Sequence, residues 1–132
     1  MPPIDQAVIT AWVGAVAATY GRRTGDINYI FVDDETMLGI NRRFIGHDYY
    51  TDHIGFDYSK DGALSGDIYI SLDTVKTNAE LYHVKPDEEL RRIIIHGLLH
   101  LCGLRDKTDE ERQLMQQAED RALTIGNGKG QL

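Results

Sequence analysis

Hydrophobic residues recur along this chain with a helical period, then a strand period, then a helical one again. Ile4, Val8, Ile9, Trp12, Val13 and Val16 form a helical stripe from Ile4 to Tyr20, preceded by Pro2 and Pro3 and stopped by Gly21. Trp12 reads as a core anchor. Asp26 to Val32 sets Ile27, Tyr29 and Phe31 against Asn28, Ile30 and Val32, a strand with both faces partly covered. Asp33 and Asp34 can cap a second helix through Met37, Leu38, Ile40, Asn41 and Phe44, which Gly46 ends. After a polar and aromatic loop, His47 to Thr51, a strand from about Asp52 to Tyr58, a connection Ser59 to Ser65 containing Gly62, and a strand Gly66 to Leu72 read as a hairpin. Asp73 to Tyr82 is helical. Pro86, with Asp87, Glu88 and Glu89 behind it, opens a helix that runs to Leu101. Thr108 and Glu111 form a capping box for a last helix through Leu114, Met115, Ala118 and Leu123, and Gly126 to Leu132 is a glycine-rich tail expected to move. This order predicts an α+β fold, a sheet with helices packed on it, and leaves the strand order open.

At 132 residues the chain is expected to form one domain, 1–132, large enough for a real core. Its single cysteine rules out an internal disulfide and fits a reducing compartment. No apolar run is long enough for a membrane span and no basic–apolar–small series marks a signal peptide, so the cytoplasm is the expected location. A net charge of −7 argues against a general nucleic-acid binder, whose footprint would be basic.

The chemistry concentrates at the end of the Pro86–Leu101 helix. His96 and His100 lie about 40° apart on the helical wheel and project from one face a turn apart, able to close on one ion. Gly103 enters the left-handed conformation cheaply and ends the helix, so the turned chain can bring Asp106 back as a third ligand. Two nitrogens and a carboxylate leave the fourth tetrahedral position of zinc open to water, as in a catalytic site. Ile93, Ile94, Leu98, Leu99 and Leu101 make the helix apolar nearly all round and central. Two histidines in such a setting need partners, since an unpaired buried polar group costs about 1–3 kcal/mol. Cys102 lies about 200° from His100 and reads as a small buried hydrophobe.

The stretch His96-Gly97-Leu98-Leu99-His100-Leu101-Cys102-Gly103-Leu104-Arg105-Asp106 resembles the signature H-G-x-L-H-L-x-G-Y-D-H of the YbeY family, bacterial endoribonucleases of ribosomal RNA maturation. Thr51-Asp52-His53-Ile54-Gly55-Phe56 resembles that family's T-D-V-L-S-F, and Gly66-Asp67-Ile68-Tyr69-Ile70 its G-D-I-x-I, in the same order. The resemblance implies a small zincin-like α+β domain with a mixed β-sheet and a central metal-binding helix. It also implies one zinc held by His96, His100 and Asp106, and single-stranded RNA, an rRNA precursor, as substrate. A ribosomal subunit or ribosomal proteins are the implied partners. This chain departs from the pattern at Asp106, where histidine is usual, and at Ile45, where an arginine is usual. Aspartate is an acceptable zinc ligand.

An acidic chain must meet RNA through a local positive cleft, with the metal as its strongest charge. The catalytic side chain stays open: zinc-bound water is the expected nucleophile, and Arg43 and Asp48 are the candidate catalytic residues. Thr51 and Arg105 are candidate substrate contacts, Arg105 and Lys107 being placed to hold a phosphate. His47 precedes a strand near the metal; His53, which alternates with Ile54, and His83, at a helix end, read as structural or surface groups. The general base of H-E-x-x-H enzymes is replaced by Gly97. Glycine inside a helix costs roughly 0.5–1 kcal/mol against alanine, and room for a bulky substrate is one reason it could stand there. The missing carboxylate favours phosphodiester over amide hydrolysis. A zinc-dependent amide hydrolase, and a ribosome-assembly factor that keeps the metal without catalysis, are the alternatives.

Overall fold

The computed structural model describes residues 5–46 and 51–125. Their order is α1 (Gln6–Thr19), β1 (Arg23–Val32), α2 (Asp34–Ile40) running into a π-helical turn (Asn41–Ile45), β2 (His53–Asp57), β3 (Ala63–Ser71), α3 (Leu72–Tyr82), α4 (Pro86–Leu101) and α5 (Asp109–Ala122). The strands lie in the order β1-β3-β2, β1 parallel to β3 and β2 antiparallel to it, so the sheet of this α+β fold is mixed.

Local chemistry sets most element ends. The Asp5 carboxylate accepts the Ala7 and Val8 amides, Asp33 accepts Thr36, and the Ser71 hydroxyl accepts Thr74. The capping box of Thr108 and Glu111 starts α5 as expected, and Pro86 starts α4. The hairpin differs from the expectation. Asp61 and Gly62 both have positive φ, 55° and 80°, and Lys60 and Ala63 exchange two backbone hydrogen bonds of 3.0 Å. That is a two-residue turn of the primed type, whose twist matches paired strands. β3 therefore begins at Ala63 rather than Gly66, and β1 lengthens to Arg23 to pair with it.

β3 alternates, burying Leu64, Gly66, Ile68 and Ile70 on the face that α4 crosses. α4 itself buries Leu90, Ile93, Ile94, Ile95, Leu98, Leu99 and Leu101, the central helix its pattern predicts. α1 packs on β1 and α4, α5 packs on α4, and the buried Trp12 Nε1 donates to the Ala122 carbonyl at 2.9 Å to tie α1 to α5. The sheet's second face is also covered near β2, where the Phe56 ring meets Tyr69 and Phe44 edge-on, with centroids 6.0 and 5.9 Å away.

Gly97 has a packing reason, not the substrate room considered above. A Cβ at this position would lie 2.9 Å from Ile68 Cδ1 and 3.1 Å from Ile68 Cγ2. The vacancy faces β3, and glycine lets helix and strand approach. Gly103 does what its position predicts: φ is 102°, its amide bonds the His100 carbonyl, and the Leu104 amide bonds the Leu99 carbonyl, both at 3.0 Å. This Schellman closure reverses the chain toward the histidine face. Among the described residues no helix is long and apolar enough to cross a membrane.

Candidate functional site

α4 places His96 and His100 one turn apart with their Nε2 atoms 2.9 Å from each other. The reversal at Gly103 returns Asp106, whose Oδ2 lies 3.2 Å from both nitrogens. The three groups predicted as ligands thus form one triangle. Each histidine is held from behind. His96 Nδ1 is 2.6 Å from Glu119 Oε2 on α5, and His100 Nδ1 is 3.0 Å from the Leu104 carbonyl. An ionised carboxylate and a carbonyl only accept, so Nδ1 carries the proton in each ring and Nε2 turns a lone pair inward.

Three acceptors therefore meet at 2.9, 3.2 and 3.2 Å with no donor of their own between them. Only a proton or a metal cation among them removes the repulsion. A tetrahedral zinc with bonds of about 2.0–2.1 Å separates its ligands by about 3.3 Å, close to the edges of this triangle. The donor set fits the ion.

The charges answer one another. Burial works against the Asp106 carboxylate, yet the positive charges of His100 and His96 outweigh it and keep its pKa below the usual carboxylate range. Burial also works against charge on His96, but the hydrogen bond and charge of Glu119, with Asp106 and Asp52 behind, raise its pKa. Burial and the neighbouring His96 charge lower that of His100.

β2 adds a residue that the sequence reading set aside as a structural or surface group. His53 pairs with Ile70 in the antiparallel ladder, so its side chain shares the face that α4 covers. Its ring lies 4.8 Å from that of His96 and 6.1 Å from that of His100, centre to centre. One ring nitrogen from each of His53, His96 and His100 falls within a common 4.8 Å. Of the expected structural or surface placement, the surface part does not hold: His53 is part-buried beside the two α4 histidines. Ile54 is indeed buried, but both faces of the sheet are covered here, so alternation with Ile54 did not send His53 to solvent. Asp52 accepts from His53 Nδ1 at 2.7 Å and from Asn78 Nδ2 at 3.4 Å. Burial pushes the Asp52 pKa up, but the bond to His53 and its charge outweigh that and lower it. Glu119 was also missed, although an acidic residue on the apolar stripe of α5, beside Ala118 and one turn from Met115, was the available signal.

The remaining predicted residues are spread out. Thr51 Oγ1 donates to the His53 carbonyl at 3.4 Å, beside the cluster. Arg105 is exposed, with its Nε 3.5 Å from Glu111. Arg43 lies in the π-helical turn with its guanidinium 5.5 Å from the centre of the Phe44 ring, and Ile45 is exposed. Cys102 is half-buried against the core, and burial raises its thiol pKa. His83 ends α3 exposed, at φ 57°. His47, Asp48 and the Gly126–Leu132 tail lie outside the described residues. A cleft of about 820 Å³ is lined by Asp52, His53, His96 and Asp106 together with Tyr82, Arg91 and Arg112.

A family model described as Endoribonuclease YbeY matches residues 4–126. The chain belongs to the YbeY family. It is 54% identical over 125 residues to the endoribonuclease YbeY of Parabacteroides distasonis, covering 95% of this chain and 88% of that one. Against that of Bacteroides thetaiotaomicron it is 53% identical, with 95% and 91% covered, and against that of Porphyromonas gingivalis 44% identical, with 95% and 83% covered. The solution structure of TM1509 from Thermotoga maritima superposes with a TM-score of 0.62 at 23% identity, covering 87% of this chain and 79% of that one, which shows a shared fold. The YbeY-like stretches meet for a topological reason. Thr51–Phe56 opens β2, Gly66–Ile70 lies in β3, and His96–Asp106 ends α4, which crosses both strands.

Proposed function

We propose that the chain is a zinc-dependent endoribonuclease that cuts single-stranded RNA in precursor rRNA, in contact with a ribosomal subunit or its proteins, in the cytoplasm, with residues 1–132 as one domain. The observation that carries this reading is the triangle of His96, His100 and Asp106, with inward lone pairs and a carboxylate, beside an open cleft that His96 and Asp106 line.

In this reading His96, His100 and Asp106 hold the zinc. A zinc ion bound there supplies Lewis acidity, acidifying water and polarising a phosphoryl oxygen. Glu119 and the Leu104 carbonyl keep both imidazoles in one tautomer and orientation. Asp106 brings negative charge to the centre and faces the cleft. Arg105, next to Asp106, and Thr51, two residues before β2, are the candidate contacts for the phosphate and sugar of a strand. The exposed Tyr82 offers a ring face for a base. Gly97 leaves the place of the peptidase glutamate filled by Ile68, so amide hydrolysis by the H-E-x-x-H route has no proton carrier there.

A ribose 2′-hydroxyl would need a base to take its proton, whereas water acidified by a zinc ion held there would need less help, so the reading is attack of water, which leaves ordinary phosphate and hydroxyl ends. Mass spectrometry of the fragments tests this, together with an RNA carrying hydrogen in place of the 2′-hydroxyl at the cut site. Cyclic 2′,3′-phosphate ends, or complete resistance of a deoxy substrate that still binds, would refute water attack. No cutting of any RNA by zinc-loaded protein would leave the non-catalytic assembly role.

A further inference from the structure

We infer that His53 is a fourth protein donor to the ion, so that the resting centre is closed by three imidazoles and one carboxylate. This rests on the metal reading above and goes beyond its ligand set.

Three observations carry it. First, the register of β2 on β3 puts His53 on the same covered face as the α4 histidines, with its ring against both. Second, its Nδ1 is committed to Asp52 at 2.7 Å, as the Nδ1 of His96 is to Glu119 and that of His100 to the Leu104 carbonyl. All three rings thus carry the same outer support and leave Nε2 as the free acceptor, the arrangement that metal-ligating histidines show. Third, a ring nitrogen of His53 is already within 4.8 Å of those of His96 and His100. A packing role alone would explain its burial. It would not explain why an imidazole with its outer nitrogen anchored turns the other toward two acceptors.

The consequence is a centre with four protein ligands and no open position at rest. His53, the donor on a different element from the other three, would be the ligand to give way when substrate approaches a zinc ion held there. Asp52 is a positioning residue in this arrangement, and Asn78 on α3 steadies it.

The test is X-ray absorption spectroscopy of the zinc-loaded full chain, with zinc affinity measured by competition against a chelator. The wild type should show three imidazoles per zinc. His53→Ala should show two and lose more affinity than the roughly 10–100-fold typical of removing an outer partner. Asp52→Asn should lose about 10–100-fold and keep three imidazoles. Circular dichroism of the metal-free variants checks folding. If His53→Ala does not fold, the imidazole count of the wild type decides alone. Two imidazoles in the wild type, or an affinity in folded His53→Ala within about threefold of it, overturns the inference. Such a wild type that loses its zinc in His100→Ala leaves the proposed function standing. A wild type that takes up no zinc removes both.

Discussion

Replacing Gly97 with alanine tests the packing that sets α4 on the sheet. A methyl group at this position arrives 2.9 Å from Ile68 Cδ1 and 3.1 Å from Cγ2; Ile68 is fully buried, and while its terminal Cδ1 can turn aside, Cγ2 is fixed at the β-branch and yields only if χ1 or the backbone shifts. Alanine gains roughly 0.5–1 kcal/mol over glycine from helix propensity. Overpacking a tight core costs about 1–3 kcal/mol. The second effect wins, and the metal-free variant should lose about 1 kcal/mol, or about 3–5 °C in Tm for a chain of this size. Thermal and urea denaturation measure it directly. Adding Ile68→Val removes the nearest methyl, so the cost of Gly97→Ala should shrink in that background, with a coupling of at least about 0.5 kcal/mol. A Gly97→Ala protein as stable as the wild type, or more so, with no coupling to Ile68, would show that close approach is not why glycine stands there.

Trp12→Phe should cost about 0.5–1.5 kcal/mol for the lost hydrogen bond, since the Ala122 carbonyl keeps the Ile125 amide at 3.1 Å, with a cavity term on top, read as a lower denaturation midpoint at unchanged m-value. Glu119→Gln should weaken zinc binding about 10–100-fold in chelator competition while the fold persists, because His96 loses the charge behind it. Burial, with the charge of Asp52 adding to it, raises the Glu89 pKa. A folded-state carboxylate held above its unfolded pKa favours folding while protonated and opposes it as pH rises through the folded value. Glu89→Gln should therefore be more stable than the wild type near pH 8 and lose that advantage near pH 4, measured by denaturation at about those two pH values.

The parts of this molecule governed by local chemistry could be read from the sequence. Pro86 with its acidic first turn, the Thr108–Glu111 box and the Gly103 stop each act within a few residues, and α4 and α5 start and end where those signals fall. The pairing of His96 with His100 is likewise a matter of helical pitch. Residues that reach the site through tertiary packing were not legible in the same way. His53 arrives by the register of β2 on β3, and Glu119 by the packing of α5 on α4, neither of which a one-dimensional period encodes. The hairpin was misjudged for another reason. The Asp61-Gly62 signal was present, but the apolar alternation from Gly66 onward drew the strand start away from Ala63.

Zinc content and RNA cleavage, measured on the same preparations of wild type and His100→Ala, test the central claim most directly. The wild type should carry about one tightly held zinc per chain. It should cut single-stranded RNA, stop when the metal is chelated and resume when zinc is restored. His100→Ala should lose both the metal and the cleavage while remaining folded. Stoichiometric zinc in His100→Ala, or RNA cutting that survives in metal-free wild type, would contradict the account.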